Sequence, residues 1–237
     1  MIVQDALGAL VWGFCAYAVL PDALLRRSRL AVRRGPADCG LVALSFDDGP
    51  HPELTPAVLD ALGAAGAHGT FFMVGRNASR HPEIVHRVLA EGHAIGVHTQ
   101  THRHAWLCAP ARLRAEMESG RRALVEASGG ARPLWFRPPW GAFNAATPLV
   151  ARRLGLRIAL WSCDGGDWWP GANPAAILGR VTRGLRSGAI IDLHDGGQTP
   201  AGCRAMADAL PAVLTAIRQA GLRAAHIGEL FGLPPVG

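Results

Sequence analysis

The sequence predicts an α/β fold in which seven parallel strands form a closed or nearly closed (β/α) barrel. From Gly40 onward, short apolar runs alternate with segments of helical pattern, and several of these segments open with proline, which the first helical turn tolerates. The apolar runs are continuous rather than alternating, which is typical of parallel strands buried on both faces. Seven such units suit a barrel better than an open sheet with one dominant crevice.

The predicted elements follow one another in strict alternation. The strands are Leu41 to Phe46, Thr70 to Val74, Ala94 to His98, Trp135 to Arg137, Arg157 to Trp161, Ala189 to Leu193 and Leu222 to His226. The helices are Thr55 to Ala65, Pro82 to Glu91, Ala111 to Ser128, Thr147 to Leu154, Pro174 to Arg186 and Ala205 to Gly221. Because parallel α/β folds build their sites at the carboxyl ends of strands, polar residues there are the functional candidates.

The first part of the chain has a different character from the rest. Residues 1–37 are predicted to be an apolar membrane-anchor segment with an arginine-rich linker, and residues 38–237 the domain that carries the functional candidates. The run Ala6 to Pro21 is almost uniformly apolar but shorter than the roughly twenty residues of a spanning helix. Spanning, lying in the interface and packing on the domain all remain open. We favour a retained anchor over a signal peptide, because Met1 to Asp5 contains no basic residue.

The charge of the chain favours an anionic partner. The formal net charge is +6, and because the sequence has no lysine, arginine supplies all of the Lys+Arg count. A membrane surface or an acidic glycan fits this balance, whereas no nucleic-acid-binding signature is visible. Basic residues after the apolar run favour a cytoplasmic C-terminal flank, and the side of the membrane remains open. The five cysteines form no CxxC pair, so neither a disulfide framework nor a cysteine metal site is indicated.

Two carboxylates stand side by side where the first strand ends, in LSFDDGP. Neighbouring side chains of an extended segment point opposite ways, so Asp47 and Asp48 can have different partners. The motif HTQTH spaces His98 and His102 four residues apart, and one helical turn would bring both imidazoles to the same face. Two histidines and a carboxylate such as Asp48 are a common zinc set, although a surface histidine cluster is the alternative.

Three further motifs carry polar groups at later strand ends. In RPPWG, Arg137 either holds a carboxylate or is solvated on a stiff loop. In LWSCDGGDWW, Asp164 and Asp167 lie among tryptophans that are either core or a sugar-stacking wall. In AIIDLHDGG, His194 is either a core histidine or, beside a metal, a candidate general acid.

Together, and in this order, the five motifs resemble those of the polysaccharide deacetylases, the NodB-homology carbohydrate esterases, over roughly Gly40 to Leu230. The resemblance implies a distorted (β/α) barrel, usually of seven strands, and metal-dependent hydrolysis of an N-acetyl, sometimes O-acetyl, group on a sugar. It makes a divalent ion, foremost Zn2+, the cofactor, and it more often implies an envelope substrate, against the cytoplasmic side that the basic flank favours. The resemblance also implies the residue roles. Asp48, His98 and His102 would bind the metal, and Asp47, oriented by Arg137, would be the catalytic base. His194 would be the general acid, and Asp167 would tune its pKa.

One residue departs from the family pattern. Where the family usually has an apolar residue that lines the acetyl pocket, this chain has Asp192, on the same strand face as His194. A carboxylate at this position would contact a polar acyl or sugar group, or it would stabilise protonated His194. The alternative is that a nearby arginine binds Asp192 and the residue has little effect. The other candidate substrate-binding residues are Pro138, Trp140, Asp164 and Trp168.

The sequence leaves the glycan open. Peptidoglycan, a chitin-like oligomer, an exopolysaccharide and a lipid-linked sugar all fit. The alternatives to an N-deacylase are an O-acetyl carbohydrate esterase and a non-catalytic glycan-binding or assembly protein on the same barrel.

Overall fold

The computed structural model describes residues 2–197 and 200–237, and these form one curved parallel sheet with helices packed around it. The strands are β1 Ala31–Val32, β2 Leu41–Asp47, β3 Thr70–Met73, β4 Ala94–Val97, β5 Trp135–Phe136, β6 Arg157–Ala159, β7 Cys163–Asp164, β8 Ile190–His194 and β9 Arg223–Ala225. All seven predicted strands are present. The short strands β1 and β7 are additional.

The helices also follow the predicted order. They are α1 Ile2–Phe14, a π-helical turn Cys15–Val19, α2 Leu20–Leu25, α3 Leu54–Ala64, α4 Gly75–Ala78, α5 Pro82–Ala90, α6 Pro110–Ala127, α7 Thr147–Arg153, α8 Pro174–Gly184 and α9 Pro200–Gln219. Short 3-10 turns lie at Ala105–Leu107, Pro139–Gly141 and Ile227–Phe231. The six predicted helices are confirmed, except that α9 begins earlier, at Pro200, and α4 was not predicted.

The sheet is curled but its two ends do not meet. Its order is β1-β6-β5-β4-β3-β2-β8-β7, and β9 pairs with the first residues of β2. Among the described residues no pairing joins β1 to β7, so the barrel stays open on that side. All of these strand pairs are parallel, which confirms the α/β prediction. The β2–β8 pairing sets Asp47 opposite His194.

Burial on both faces of the sheet explains the continuous apolar runs. Phe46 on β2 stacks on Phe71 of β3, with ring centroids 5.0 Å apart, and both side chains are fully buried. On the outside, α6 presents Leu113, Met117 and Leu124 at helical spacing to this core. A rigid core on both faces fixes where each strand ends, and therefore where the polar residues after it lie.

The N-terminal helix is one apolar run, and its described contacts with the domain begin at Phe14, whose ring meets Trp106 edge to face at 6.0 Å. From Gly8 to Leu25 its mean hydropathy is 1.6 and only 11% of this window is buried, so by length and composition it could cross a membrane. A signal sequence near an N-terminus has the same properties. The last turns contact the domain, where Tyr17 Oη donates to Cys108 O (2.8 Å) and Asp22 Oδ1 accepts from Phe143 N (2.7 Å).

Candidate metal and catalytic site

A cavity of about 380 Å3 opens at the carboxyl ends of the strands, where the fold predicts a site. Its walls include most of the residues singled out in the sequence. The lining residues are Asp47, Asp48, His98, His102, Trp140, Trp161, Trp168, Asp192 and His194. The cavity therefore brings together all five sequence motifs, which are far apart along the chain.

The adjacent aspartates point to different partners because the backbone turns between them. Asp47 is the last residue of β2, whereas Asp48 has a left-handed φ of 74°. Asp47 Oδ1 accepts from Arg137 Nη1 at 2.7 Å, and the Asp48 carboxylate faces the two histidines. The side chain of Asn77 fixes the turn by donating to Asp48 O at 2.9 Å. The two like charges thus do not share one environment.

The histidine pair does not lie on a helical turn, so that expectation was wrong. Strand β4 ends at Val97, and the following loop contains two left-handed residues, Thr99 (φ 62°) and His102 (φ 57°). The backbone of Gly120 in α6 lies so close to the Thr99 carbonyl that a Cβ there would overlap it. The loop nevertheless brings the rings of His98 and His102 within 5.0 Å of each other, centroid to centroid.

Three ligand atoms converge in a manner that suits a divalent cation. Asp48 Oδ1 lies 3.3 Å from His98 Nε2 and 2.9 Å from His102 Nε2, and these atoms all lie within 4.8 Å of one another. His98 Nδ1 is 2.8 Å from Arg137 O, which fixes the Nδ1–H tautomer and leaves Nε2 free to ligate. Asp48 Oδ1 is buried without a hydrogen bond of regular geometry among the described residues, as expected of a metal ligand.

The charge of Asp48 also fits a role as a metal ligand beside His98 and His102. Burial opposes ionisation of the carboxyl, but the contacts with His102 and His98 outweigh it and hold the pKa of Asp48 far below its usual range. The residue is therefore an anion at neutral pH. An anionic oxygen and two imidazole nitrogens match the ligands that zinc and similar divalent ions prefer.

A second close group of ionisable residues, Asp47, Asp192 and His194, is organised around a cation that the chain itself supplies. The buried Arg137 donates through Nη1 to Asp47 Oδ1 (2.7 Å) and to Asp192 Oδ1 (2.5 Å), and its guanidinium lies over the Phe72 ring. This arginine is not solvated, and its charge opposes a second metal ion there. Burial and the charge of Asp47 raise the pKa of Asp192 well above its usual value, although Arg137 opposes the shift.

His194 is oriented by a buried carboxylate. Its Nδ1 lies 3.0 Å from Asp167 Oδ1, and its backbone N–H donates to Asp167 Oδ2 at 2.6 Å. Burial alone would lower the pKa of His194, but the hydrogen bond and charge of Asp167, with the charges of Asp192 and Asp47, raise it well above the usual value. The imidazole therefore remains protonated near neutral pH with Nε2 directed away from Asp167.

Replacing Asp167 by asparagine is expected to move the alkaline limb of the pH–rate profile to lower pH. If the protonated form of His194 is required, activity falls as pH rises through its pKa. Asparagine removes the charge that raises this pKa and leaves burial, which lowers it. Profiles of kcat against pH would measure the shift. Asp164→Asn, at the end of β7 and hydrogen-bonded to Gly166 and Trp168 instead of His194, is the matched control. An unmoved limb in Asp167→Asn would contradict the assignment.

Of the remaining sequence candidates, Trp140 and Trp168 line the cavity, whereas Asp164 and Pro138 do not. Asp164 does not line it; the Asp164 carboxylate accepts from Gly166 N (2.8 Å) and orients the Trp168 indole at 3.3 Å. Pro138 is buried behind the wall. Trp140 and Trp168 stand at the rim, 52% and 45% exposed, where their faces are available to a sugar.

Sequence reasoning missed Asp195 as a functional neighbour. Its carboxylate is fully buried, accepts from Thr55 Oγ1 at 2.5 Å, and its backbone N–H donates to Asp47 O at 3.2 Å. Burial, with the charges of Asp48 and Asp47, raises its pKa to about 7, although the Thr55 hydrogen bond opposes this. The available signal was its position directly after His194, but only the structure shows that it supports the Asp47 turn.

Comparison with known proteins gives one consistent result. Residues 34–159 match the family model described as polysaccharide deacetylase. The chain is 38% identical over 195 residues to a peptidoglycan-N-acetylglucosamine deacetylase of Bacillus cereus, covering 81% of this chain and 88% of that one. It is also 38% identical over 171 residues to a chitooligosaccharide deacetylase of a Bradyrhizobium species, covering 70% and 77%.

A solved structure agrees. The crystal structure of a peptidoglycan N-acetylglucosamine deacetylase superposes with a TM-score of 0.81 at 29% identity, over 87% of this chain and 94% of that one. Sequence family and fold thus coincide over most of the chain. The chain therefore belongs to the polysaccharide deacetylase family.

Proposed function

We propose that this protein is a metal-dependent carbohydrate deacetylase that hydrolyses the N-acyl group of an amino sugar, with Asp47 as base and His194 as acid. The observation that carries the proposal is the placement of these two residues. They pair across neighbouring strands at one edge of a candidate metal site, and both line the same cavity. Amide hydrolysis needs this combination of an electrophilic centre, a base and an acid.

The chain's own residues divide the work of the reaction. Asp48, His98 and His102 would hold the divalent ion, foremost Zn2+, which when bound polarises an acyl carbonyl and makes a neighbouring water more acidic. Asp47, fixed by Arg137, takes the proton of the attacking water. The hydrogen bond from Arg137 fixes the direction of the Asp47 carboxylate, which lines the cavity.

The chemistry of the leaving group explains why the reaction needs an acid. An amine leaves poorly unless its nitrogen is protonated, and His194 carries a proton because Asp167 holds it cationic. Its Nε2 is the atom that would deliver this proton to the sugar nitrogen. The same pairing also prevents rotation of the ring, so the acid remains aligned during the reaction.

The substrate is proposed to be a glycan that contains N-acylated glucosamine. The relatives are named for peptidoglycan and chitooligosaccharides, and the indoles of Trp140 and Trp168 at the rim suit stacking on sugar rings. An exopolysaccharide and a lipid-linked sugar have the same reactive group. The apolar N-terminal helix is proposed to hold the enzyme at a membrane.

Metal analysis combined with product release tests this function. Purified protein is expected to carry one divalent ion per chain, foremost zinc, and to release acetate and free amine from chitooligosaccharides or peptidoglycan. A chelator should abolish release, and added metal should restore it. Stoichiometric metal without hydrolysis of any formyl or acetyl substrate would instead support the glycan-binding alternative.

Asp192→Leu is expected to shift acyl preference toward apolar groups. The Asp192 side chain lines the cavity and shares Arg137 with Asp47, so a polar acyl group has a polar wall to contact. We expect the ratio of kcat/KM for N-glycolyl over N-acetyl substrates to fall roughly tenfold. Asp192→Asn, which keeps the size and polarity, is the control. An unchanged ratio in Asp192→Leu would assign this residue to the support of Arg137 alone.

A further inference from the structure

Three arginines of the N-terminal segment line a second cavity beside the catalytic one. Arg26, Arg27 and Arg33, together with Leu160 and Trp161, surround about 230 Å3. Trp161 also lines the catalytic cavity, so its indole is a wall common to both. A substrate whose reactive sugar occupies the catalytic cavity can therefore reach the arginines with a neighbouring group.

Sheet topology explains why arginines from the predicted linker reach the site. Strand β1 pairs in parallel with β6, and Leu160 N donates to Val32 O at 2.7 Å. Arg33 directly follows β1, and Trp161 follows the end of β6, so both lie at the carboxyl edge of the sheet. Asp47 lies at the same edge. The rule that locates the catalytic residues therefore also locates Arg33.

The arginines carry more positive charge than their surroundings neutralise. Arg26 is fixed by Asp22 Oδ2 (2.8 Å) and donates to Trp140 O (3.0 Å), at the rim of the catalytic cavity. Arg27 and Arg33 each donate one hydrogen bond, to a backbone carbonyl. Among the described residues no carboxylate lies within ion-pair distance of either one, so two of the three positive charges are uncompensated.

Guanidinium groups in this arrangement match phosphoryl oxygens. The planar fork of arginine binds phosphate bidentately, and two uncompensated positive charges match the two negative charges of a diphosphate, whereas a carboxylate carries only one. Beside the arginines the chain is apolar. Leu24 and Leu30 are each 61% exposed, and the apolar helix ends in the same segment.

The helix is fixed to the wall of the catalytic cavity. Tyr17 donates to Cys108 O, and the loop that precedes Cys108 carries His102. Tyr17 O also accepts from Ala145 N at 2.9 Å, on the loop that follows Trp140. If the helix lies in lipid, the arginines at its end lie at the depth of the headgroups, where phosphates are found.

We propose that Arg26, Arg27 and Arg33 form a phosphoryl-binding subsite of the catalytic cavity, and that the acylated amino sugar is joined through this phosphoryl group to a membrane lipid. The proposal rests on the N-deacylase function and names its substrate class. Trp161 separates the reacting sugar from the phosphoryl group, and the helix positions the lipid.

Binding to the full chain in detergent or nanodiscs tests the subsite without relying on turnover. Calorimetry would compare N-acetylglucosamine 1-phosphate with N-acetylglucosamine. We expect the phosphorylated sugar to bind about tenfold more tightly, and Arg27→Gln/Arg33→Gln to remove this preference. The matched control is Arg29→Gln/Arg34→Gln, which removes equal charge from the same segment but outside the cavity.

Three outcomes would overturn the subsite. They are equal binding of the two sugars by the unaltered protein, an equal loss of preference in the control pair, and equally tight binding of a sugar that carries a carboxylate instead of a phosphate. Since both substituted arginines are exposed, the variants are expected to fold, and matching melting temperatures would verify this. The first outcome needs no variant.

A second arm identifies the source of the phosphoryl group. An N-acetylglucosamine joined by phosphate to a polyprenyl chain, in nanodiscs, is expected to be deacylated with a lower KM than the soluble sugar phosphate. Equal KM values would overturn the lipid part. Amine release from unphosphorylated chitooligosaccharides tests the N-deacylase function separately: release without phosphate preference overturns only the subsite, and phosphate preference without amine release from any substrate overturns only the function.

Discussion

Asp47→Asn is expected to lower kcat by about 10²- to 10⁴-fold while leaving the metal content unchanged. Asparagine keeps the size of Asp47 and a hydrogen bond to Arg137, but it cannot accept the proton of the attacking water. The ligand atoms of Asp48, His98 and His102 lie on other side chains and stay intact. Metal analysis and turnover on the same preparation would measure both quantities.

Asp48→Asn is the matched comparison, because the neighbouring residue undergoes the same chemical change. Here the anionic ligand is lost, so metal occupancy and activity should fall together, and excess metal should restore part of the activity.

In Asp47→Asn, the Asp192 carboxylate can supply residual base activity, because it shares Arg137 with residue 47. Asp47→Asn/Asp192→Asn should remove that remainder. If both single variants lost metal equally, the separate roles of Asp47 and Asp48 would be wrong.

His194→Ala is expected to separate amide from ester hydrolysis. On an N-acetyl substrate, loss of the acid should cost about 10²- to 10⁴-fold in kcat, because the amine cannot leave unprotonated. On an O-acetyl sugar or an aryl acetate, whose leaving group departs more readily, much of the rate should remain. Paired assays of amine release and ester cleavage by one preparation give the ratio.

This ratio also discriminates between the two enzymatic alternatives. A large loss on the amide with a small loss on the ester supports the N-deacylase. Equal and small losses on both would favour the O-acetyl esterase and remove His194 from the acid role. Asp167→Asn should also lower the rate on the amide more than the rate on the ester, but by a smaller factor. The reason is that the imidazole of His194 stays in the site and only its pKa falls.

The fold was predictable because burial on both faces of the sheet requires continuous apolar runs in the local sequence. Continuous apolar runs such as Leu41 to Phe46 gave the strands, and prolines at helix starts gave several helix boundaries. The strands β1 and β7, two residues each, were not predictable. They contain too few residues for a pattern, and they exist because β6 and β8 offer free edges.

The candidate site was predictable in its membership but not in its geometry. The residues His98 and His102 were identified from their spacing, yet a helical turn was the wrong explanation. Their rings meet because Thr99 and His102 adopt left-handed conformations against Gly120, a contact between segments that are remote in sequence. Local spacing contains no information about such a contact.

By itself, the sequence determined which groups are available: an anionic pair after the first strand, a histidine pair, an arginine, and a histidine followed by aspartate. Side-chain type and strand position are local properties, and they fix the chemistry that the chain can offer. Only the tertiary structure decided which charges share a partner. Parallel pairing brings the carboxyl ends of distant strands to one edge of the sheet. For this reason Arg137 joins Asp47 to Asp192, and Arg33 lines the second cavity beside the catalytic one.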